Sequence, residues 1–227
     1  MHVLVTGAAG MIGRNLAARL ASDGGLGGQP IERLTLTDIV APYAPDGFAG
    51  HVETVAADLP APDTAKRLVA ARPDVIFHLA GVVSGEAELD LEKGYRVNLE
   101  GTRALLEAVR QIGDGYKPKV VFTSSMAVYG APFPEIISDE FQLTPLTSYG
   151  AQKVMCEQLL ADYTRKGILQ GVGIRLPSIV VRPGKPNRAA SGFRASSANR
   201  WPGRRRCCRS PIRCCTRMPA RARRSGF

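Results

Sequence analysis

An excess of basic charge is missing from most of this chain. Of its 30 lysines and arginines, twelve arginines fall between Arg188 and Phe227, where no acidic residue occurs. Residues 1–187 hold 18 basic against 20 acidic residues, so the formal charge of +10 belongs to the tail. A polyanion-binding body is not implied. Cysteine is scarce there too. The body has only Cys156, while Cys207, Cys208, Cys214 and Cys215 sit in the tail. A disulfide framework is therefore not expected, and a reduced, cytoplasmic setting is. No metal site is expected either, because CC-x5-CC is not a zinc spacing. No run of 18 apolar residues occurs, so no membrane-spanning helix is expected. The chain enters a strand at once, without a basic leader.

What is present is alternation. "HVLVT" (His2 to Thr6), "LTLTD" (Leu34 to Asp38), "HVETVAAD", "DVIFHLAG" (Asp74 to Gly81), "KVVFTSS" (Lys119 to Ser125) and "GVGIRLPSIVV" read as strands. Helical patterns lie between them: after the first glycines through Leu20, from Pro62 with Asp63 in the first turn, from about Leu89 to Ile112, and from Ser148 to Lys166. Strands alternating with helices imply an α/β fold built on a doubly wound parallel sheet, of the Rossmann kind. Residues 1–187 form that unit. After Pro186 the periodicity is lost.

The stretch "TGAAGMIG" sets Gly7, Gly10 and Gly13 between a strand and a helix. The first glycine permits a tight turn, the second lets backbone approach a pyrophosphate, and the third lets the helix pack closely. The helix N-terminus, with Met11 and Ile12, offers N–H donors to phosphate. Asp38 ends the second strand, where a carboxylate accepts hydrogen bonds from ribose hydroxyls. No arginine follows it immediately, which favours NAD over NADP. Asp38 as a simple turn cap is the alternative.

Tyr149 and Lys153 are one helical turn apart and share a face. A phenol titrates near pH 10 and is a poor base at neutrality. A neighbouring ammonium favours the phenolate, which could then take a proton from an alcohol. Ser125 closes a strand at the carboxyl end of the sheet, where such folds bind ligands. Its hydroxyl is placed to hydrogen-bond the reacting oxygen.

"TGAAGMIG", "HLAG", "VNLEGT", "FTSSMAVYG" and "YGAQK" together resemble the extended short-chain dehydrogenase/reductase family, in its NAD-dependent epimerase/dehydratase branch. The resemblance covers about Met1 to Asn187. It implies Tyr149 as acid/base, Lys153 as its electrostatic partner and ribose ligand, and Ser125 as the substrate-orienting hydroxyl. It implies Asp58 and Leu59 beside adenine, Leu79, Ala80 and Pro177 along the cofactor, and Asn98 under the active site, holding backbone or water. Pairing of two copies through the Tyr149-bearing helix and the long helix before Ser125 is also implied. Within the family, "GVVSGEAELDLEKGYRVN" and "RLPSIVVRPGKPN" are most similar to the D-erythronate dehydrogenases, which oxidise a four-carbon sugar acid with NAD. Ser84 would then lie on a loop facing substrate, and Arg182 would be a carboxylate partner, since guanidinium matches that group bidentately.

The family continues past Asn187 with a small substrate domain, and residues 188–227 do not read as one. Shifted by one base, plausible codons for parts of the tail can give "IIREPLA" and "PDPVLHADASPRAAVGF", which regain carboxylates and apolar spacing. A frameshifted or truncated substrate domain, with a disordered arginine-rich tail, is the expectation. Two rivals stand beside a sugar-acid dehydrogenase. One is an epimerase or dehydratase of the same family. The other is a nucleotide-binding regulator whose tail binds nucleic acid, disfavoured because the tail has arginine without lysine.

Overall fold

A computed structural model describes residues 1–177 and Ile179. Arg182 and the arginine-rich tail lie outside the described residues.

The chain runs β1 (His2–Thr6), α1 (Met11–Asp23), β2 (Gly25–Leu26), β3 (Gln29–Pro30), β4 (Arg33–Asp38) and β5 (His51–Ala56). It continues with α2 (Thr64–Ala70), β6 (Val75–His78), α3 (Ser84–Leu89), α4 (Leu91–Gly94), a π-helical segment (Tyr95–Glu100) and α5 (Gly101–Ile112). Then come β7 (Lys119–Ser125), a 3-10 turn (Met126–Val128), α6 (Ser148–Arg165) and β8 (Gln170–Leu176). Six strands form one sheet in the order β5-β4-β1-β6-β7-β8, every neighbour parallel. Strand order reverses between β1 and β6. That is the switch point of a doubly wound sheet, where a crevice opens at the carboxyl ends.

The central strands are apolar on both faces because both faces are covered. In β1, Leu4 joins a core with Val69, Ile76, Leu105, Phe122, Cys156 and Leu160, which packs α2, α5 and α6 on one side. Val3 and Val5 turn to the other side, against Ala17 and Leu20 of α1 and Leu34 and Leu36 of β4. β8 is the edge strand among the described residues, and its Val172 and Ile174 are 58% and 45% exposed.

Three expectations need correction. "GGLGGQP" does more than end α1. Gly27 and Gly28, both at positive φ, turn a two-residue hairpin in which Leu26 pairs Gln29. The single helix expected from Leu89 to Ile112 is broken. The extended backbone of Asp90 ends α3, and its carboxylate accepts the Lys93 N–H at 2.9 Å to start α4. Asp63, expected within the first turn of α2, precedes it at the N-cap position: its φ is +58°, and its side chain makes no capping hydrogen bond, pairing instead with Lys66 at 3.2 Å.

α6 is tied to β8 by charge. Glu157 accepts two hydrogen bonds from Arg175, at 2.7 Å from Nη2 and 3.0 Å from Nε, and also meets the Ser124 hydroxyl. Arg175 Nη1 donates to the Tyr129 hydroxyl at 2.5 Å. The paired side chains are only 11% and 25% exposed. Removing one member leaves its partner's charge poorly hydrated. Glu157→Ala is therefore expected to cost about 3 kcal/mol, the low end for a broken buried pair. Thermal melting of the variant against wild type measures it, and a melting point within a degree or so of wild type would count against a structural role for the pair.

Candidate active site

Gly7 follows β1 at φ +74°, a conformation open to glycine. A Cβ there would lie 2.6 Å from Ala80 N, so the turn rests directly on the chain leaving β6. A Cβ on Gly13 would lie 2.2 Å from Gly7 O and 2.6 Å from Ala8 Cα, which is the close helix packing expected of the third glycine. Gly10 differs. A Cβ there would meet only Gly7 O, at 3.2 Å, and its outer side faces open space at the head of α1. That opening, beside the first-turn N–H groups at Met11 and Ile12, fits a phosphate.

Asp38 sits at the end of β4, next to this turn. Its Oδ2 accepts the Ala9 N–H at 2.9 Å, and Oδ1 accepts the Ile39 N–H at 2.7 Å. The capping alternative is thus also satisfied: the carboxylate braces the glycine turn. Each carboxylate oxygen keeps a further lone pair, so a ribose-facing role is compatible with both bonds. Asp58, beyond β5, is ion-paired with Arg96 of the π segment. The Leu59 side chain is buried in the core, which leaves only its backbone for a ligand. Leu79 and Ala80 are fixed to β1: Leu79 N donates to Thr6 O at 3.1 Å, and Ala80 N to Thr6 Oγ1 at 3.4 Å.

The chain then reaches the catalytic candidates. A Cβ on Gly81 would lie 2.8 Å from Asn98 Oδ1 and 3.7 Å from Lys153 Nζ. The glycine turn, the 79–81 stretch and Lys153 are therefore contiguous. Lys153 is buried on α6. Its Nζ donates to Thr123 O at 2.8 Å and lies 4.7 Å from the Phe122 ring centre and 5.6 Å from that of Tyr149. Tyr149 is half-buried in the first turn of α6, whose N-cap Thr147 accepts the Gly150 N–H at 3.0 Å. Its phenol lies near enough to the Ser125 hydroxyl, at the end of β7, for that group to act on its acidity. Ser125 Oγ also accepts the Ala127 N–H at 3.1 Å. Pro177 lies just past β8 and is exposed. Ser84 is the first residue of α3, not a loop residue, because helix begins directly after the extended Val83.

The electrostatics depart from the expected phenolate. Burial pushes the Tyr149 phenol above its ordinary pKa, and the neighbouring Ser125 hydroxyl only partly offsets this. Burial also lowers Lys153 from 10.5 to about 8, against the pull of Cys156 and Glu157. Desolvation disfavours the charged form of each group. A proton is thus harder to remove from Tyr149 than the one-turn spacing suggests, and Lys153 is poised to titrate near neutrality.

This shift has a stability consequence with a definite sign. The folded pKa of Lys153, about 8, lies below the ordinary 10.5. Between those values the unfolded chain holds a proton that the folded chain lacks, so this group's contribution to stability rises with pH across that window. Below about 8 the cost of the buried ammonium is felt in full. Raised tyrosines act in the opposite direction, so the test is a difference. The melting temperature of wild type minus that of Lys153→Met is expected to climb from pH 8 to 10.5. A flat difference would show that the ammonium is not destabilised by burial.

Two parts of the site had no place in the sequence reading. His78 is buried within β6. Its Nδ1 lies 2.7 Å from Thr6 Oγ1 and its Nε2 2.9 Å from Thr102 Oγ1. Thr102 Oγ1 donates to Asn98 O at 2.6 Å, so it must accept from Nε2–H, and Nδ1 must accept from Thr6. Burial, and then Lys153, hold His78 neutral, with its pKa lowered to about 3. A directed chain of hydrogen bonds thus runs from Ala80 to Asn98. The signal was a histidine inside the apolar run "DVIFHLAG". The second part is Gln152, which bonds Asn98. Asn98 itself holds backbone: Oδ1 accepts the Val82 N–H at 2.9 Å, and Nδ2 donates to Val82 O at 3.3 Å and to Gln152 Oε1 at 2.7 Å. Among the described residues no helix is long and apolar enough to cross a membrane, and no cluster of His, Cys, Asp or Glu could hold a metal.

Comparison with known proteins shows what the chain as a whole is similar to. The chain is 49% identical over 197 residues to a D-erythronate dehydrogenase of Cupriavidus necator, covering 85% of this chain and 60% of that protein. It is 41% identical over 196 residues to a D-erythronate dehydrogenase of Haemophilus influenzae, again covering 60% of the relative. Among solved structures, a nucleoside-diphosphate-sugar epimerase from Agrobacterium tumefaciens superposes with a TM-score of 0.82 at 63% identity, over 86% of this chain and 58% of that one. A Thermus thermophilus UDP-glucose 4-epimerase, solved with NAD, superposes at 0.70 with 29% identity, over 84% of this chain and 60% of that one. The chain therefore spans about 60% of the length of the curated relatives it matches. Residues 3–201 match the model described as the NAD dependent epimerase/dehydratase family, and this chain belongs to that family.

Proposed function

We propose that the chain uses NAD to oxidise a secondary alcohol on a small sugar acid of the D-erythronate type. The observation that carries this reading is the contiguity of an open glycine turn, the 79–81 stretch and the Lys153–Tyr149–Ser125 group at the sheet's carboxyl end. Gly7, Gly10, Met11, Ile12 and Gly13 would hold the pyrophosphate and Asp38 a ribose. Asp58 and Leu59 would lie beside adenine, and Leu79, Ala80 and Pro177 along the remainder. NAD supplies the hydride acceptor. Ser125 orients the substrate hydroxyl, and Tyr149, once deprotonated, takes its proton as the carbinol C–H bond breaks, so that the alcohol becomes a ketone. Lys153 supplies positive charge beside the phenol and a donor for ribose. Ser84, at the head of α3, and Arg182 would grip the rest of the substrate.

The name of the Agrobacterium relative favours a second reading, epimerisation of a nucleotide sugar, in which hydride returns to the substrate. We favour oxidation for two reasons. The curated dehydrogenases are more similar than the curated UDP-glucose 4-epimerases, which reach 36% identity. The stretch "RLPSIVVRPGKPN" also lacks the Asn–Val–Tyr–Gly–Pro-like segment that resemblance to sugar-nucleotide epimerases would lead one to expect after the sixth strand. Incubation with NAD and D-erythronate is expected to accumulate NADH in proportion to substrate consumed. Turnover of UDP-glucose without NADH accumulation would instead establish the epimerase.

The division at residue 187 is part of the same proposal. Residues 188–227 are read as an out-of-frame continuation, which the nucleotide sequence around codons 185–200 tests. A locus unable to encode the two alternative peptides in another frame removes that reading.

A further inference from the structure

Gln152 lies immediately before Lys153 on α6 and is 0% exposed. Its Oε1 accepts from Asn98 Nδ2 at 2.7 Å, but its Nε2 has no partner. An amide buried with two idle N–H groups is unfavourable, and a leucine or methionine would fill the same volume without that cost. The surroundings make a second concession. Gly94 lies in α4, and a Cβ there would sit 2.7 Å from Gln152 Nε2 and 3.1 Å from Ala87 Cβ. Glycine inside a helix weakens it. Two unfavourable choices thus converge on keeping one amide in one place.

The bond to Asn98 gives that amide a use. Asn98 must present Oδ1 to the Val82 N–H and Nδ2 to Val82 O, but the second of these is long, at 3.3 Å. The acceptor on Gln152 faces Nδ2 at the shorter distance, so a flipped Asn98 would set oxygen against oxygen there and nitrogen against the Val82 N–H. Gly81, next to Val82, turns its side-chain-free face to Asn98 Oδ1 and Lys153 Nζ.

We infer that Gln152 is a positioning residue: its amide oxygen fixes the orientation of Asn98, and Asn98 in turn holds the Gly81–Val82 backbone beside Lys153. The backbone part stands on geometry alone. The consequence for cofactor rests on the proposed function, because Leu79 and Ala80 would line NAD.

The test is Gln152→Met in the intact 227-residue chain, read by hydrogen exchange, NAD titration and thermal melting. Methionine keeps the volume and removes both the acceptor and the idle donors. Exchange at the Val82 amide is expected to accelerate about tenfold, the worth of one hydrogen bond, with amides in β6 unchanged. The Kd for NAD should rise by a similar factor, and the melting temperature should hold or increase. Gln152→Glu, which retains an acceptor facing Asn98, should restore Val82 protection. Unchanged Val82 exchange overturns the inference. So does a lowered melting temperature with all β6 amides accelerated together, which would mark Gln152 as ordinary core. If Val82 responds but wild type binds no NAD, the positioning role stands and the proposed function falls.

Discussion

Tyr149→Phe is expected to lower kcat for alcohol oxidation by about a thousandfold, within the range that proton transfer by a positioned side chain contributes. Phenylalanine keeps the ring that packs near Lys153 and removes only the group that can take the proton. Lys153 is poorly placed to substitute: its Nζ is bonded to Thr123 O at 2.8 Å and lies 5.6 Å from the Tyr149 ring centre. Ser125 Oγ is a far weaker base and is engaged with the Ala127 N–H. Affinity for NAD should stay close to wild type, because the cofactor's phosphates and adenosine would be held elsewhere. In wild type, oxidation should speed up with rising pH, since burial holds the phenol above its ordinary pKa and the base form must first be made. Activity retained in the variant would remove Tyr149 from the role.

Gly10→Ala is expected to weaken NAD binding by about a hundredfold while leaving the fold intact. That factor is roughly 2.7 kcal/mol, the worth of one or two hydrogen bonds to a charged group. The reason is where the added methyl would go. At Gly10 the backbone is φ −69°, ψ 166°, which alanine adopts freely, and the nearest atom to a new Cβ is 3.2 Å away. The methyl would project into the opening at the head of α1. Gly13→Ala is the contrasting control. Its methyl would press on backbone at 2.2 and 2.6 Å, and backbone cannot swing aside as a flexible side chain can. It should destabilise the fold by about 3 kcal/mol or more. Calorimetric titration with NAD, alongside melting curves, separates the two. Equal affinity for wild type and Gly10→Ala would mean that phosphate does not sit at this turn.

Much of this arrangement is legible in the residues because it depends on short-range rules. β1 and β7 begin and end where "HVLVT" and "KVVFTSS" do, since runs apolar on both faces are bounded by glycine, proline or polar residues. The glycine turn and Asp38 follow from spacing alone. What escaped depends on partners distant in sequence. The break at Asp90 and the π segment after it interrupt a stretch whose composition stays helical throughout. Ser84 falls on helix rather than loop because α3 begins directly after the extended Val83. The raised phenol and lowered ammonium come from burial, which the four-residue spacing of Tyr149 and Lys153 does not reveal. Gln152 reads as an unremarkable helix position until its contact with Asn98, 54 residues earlier, is seen.

In the proposed reaction a substrate carbinol hydrogen moves to a dinucleotide seated on the glycine turn while Tyr149 takes the hydroxyl proton. D-erythronate carrying deuterium on each carbinol carbon, mixed with the chain and NAD, tests it in one measurement. NADH labelled at the transferred position, and a slower reaction than with unlabelled substrate, are expected. Labelled substrate consumed with no deuterium in the NADH, or no NADH formed by a chain shown to bind both ligands, would contradict it.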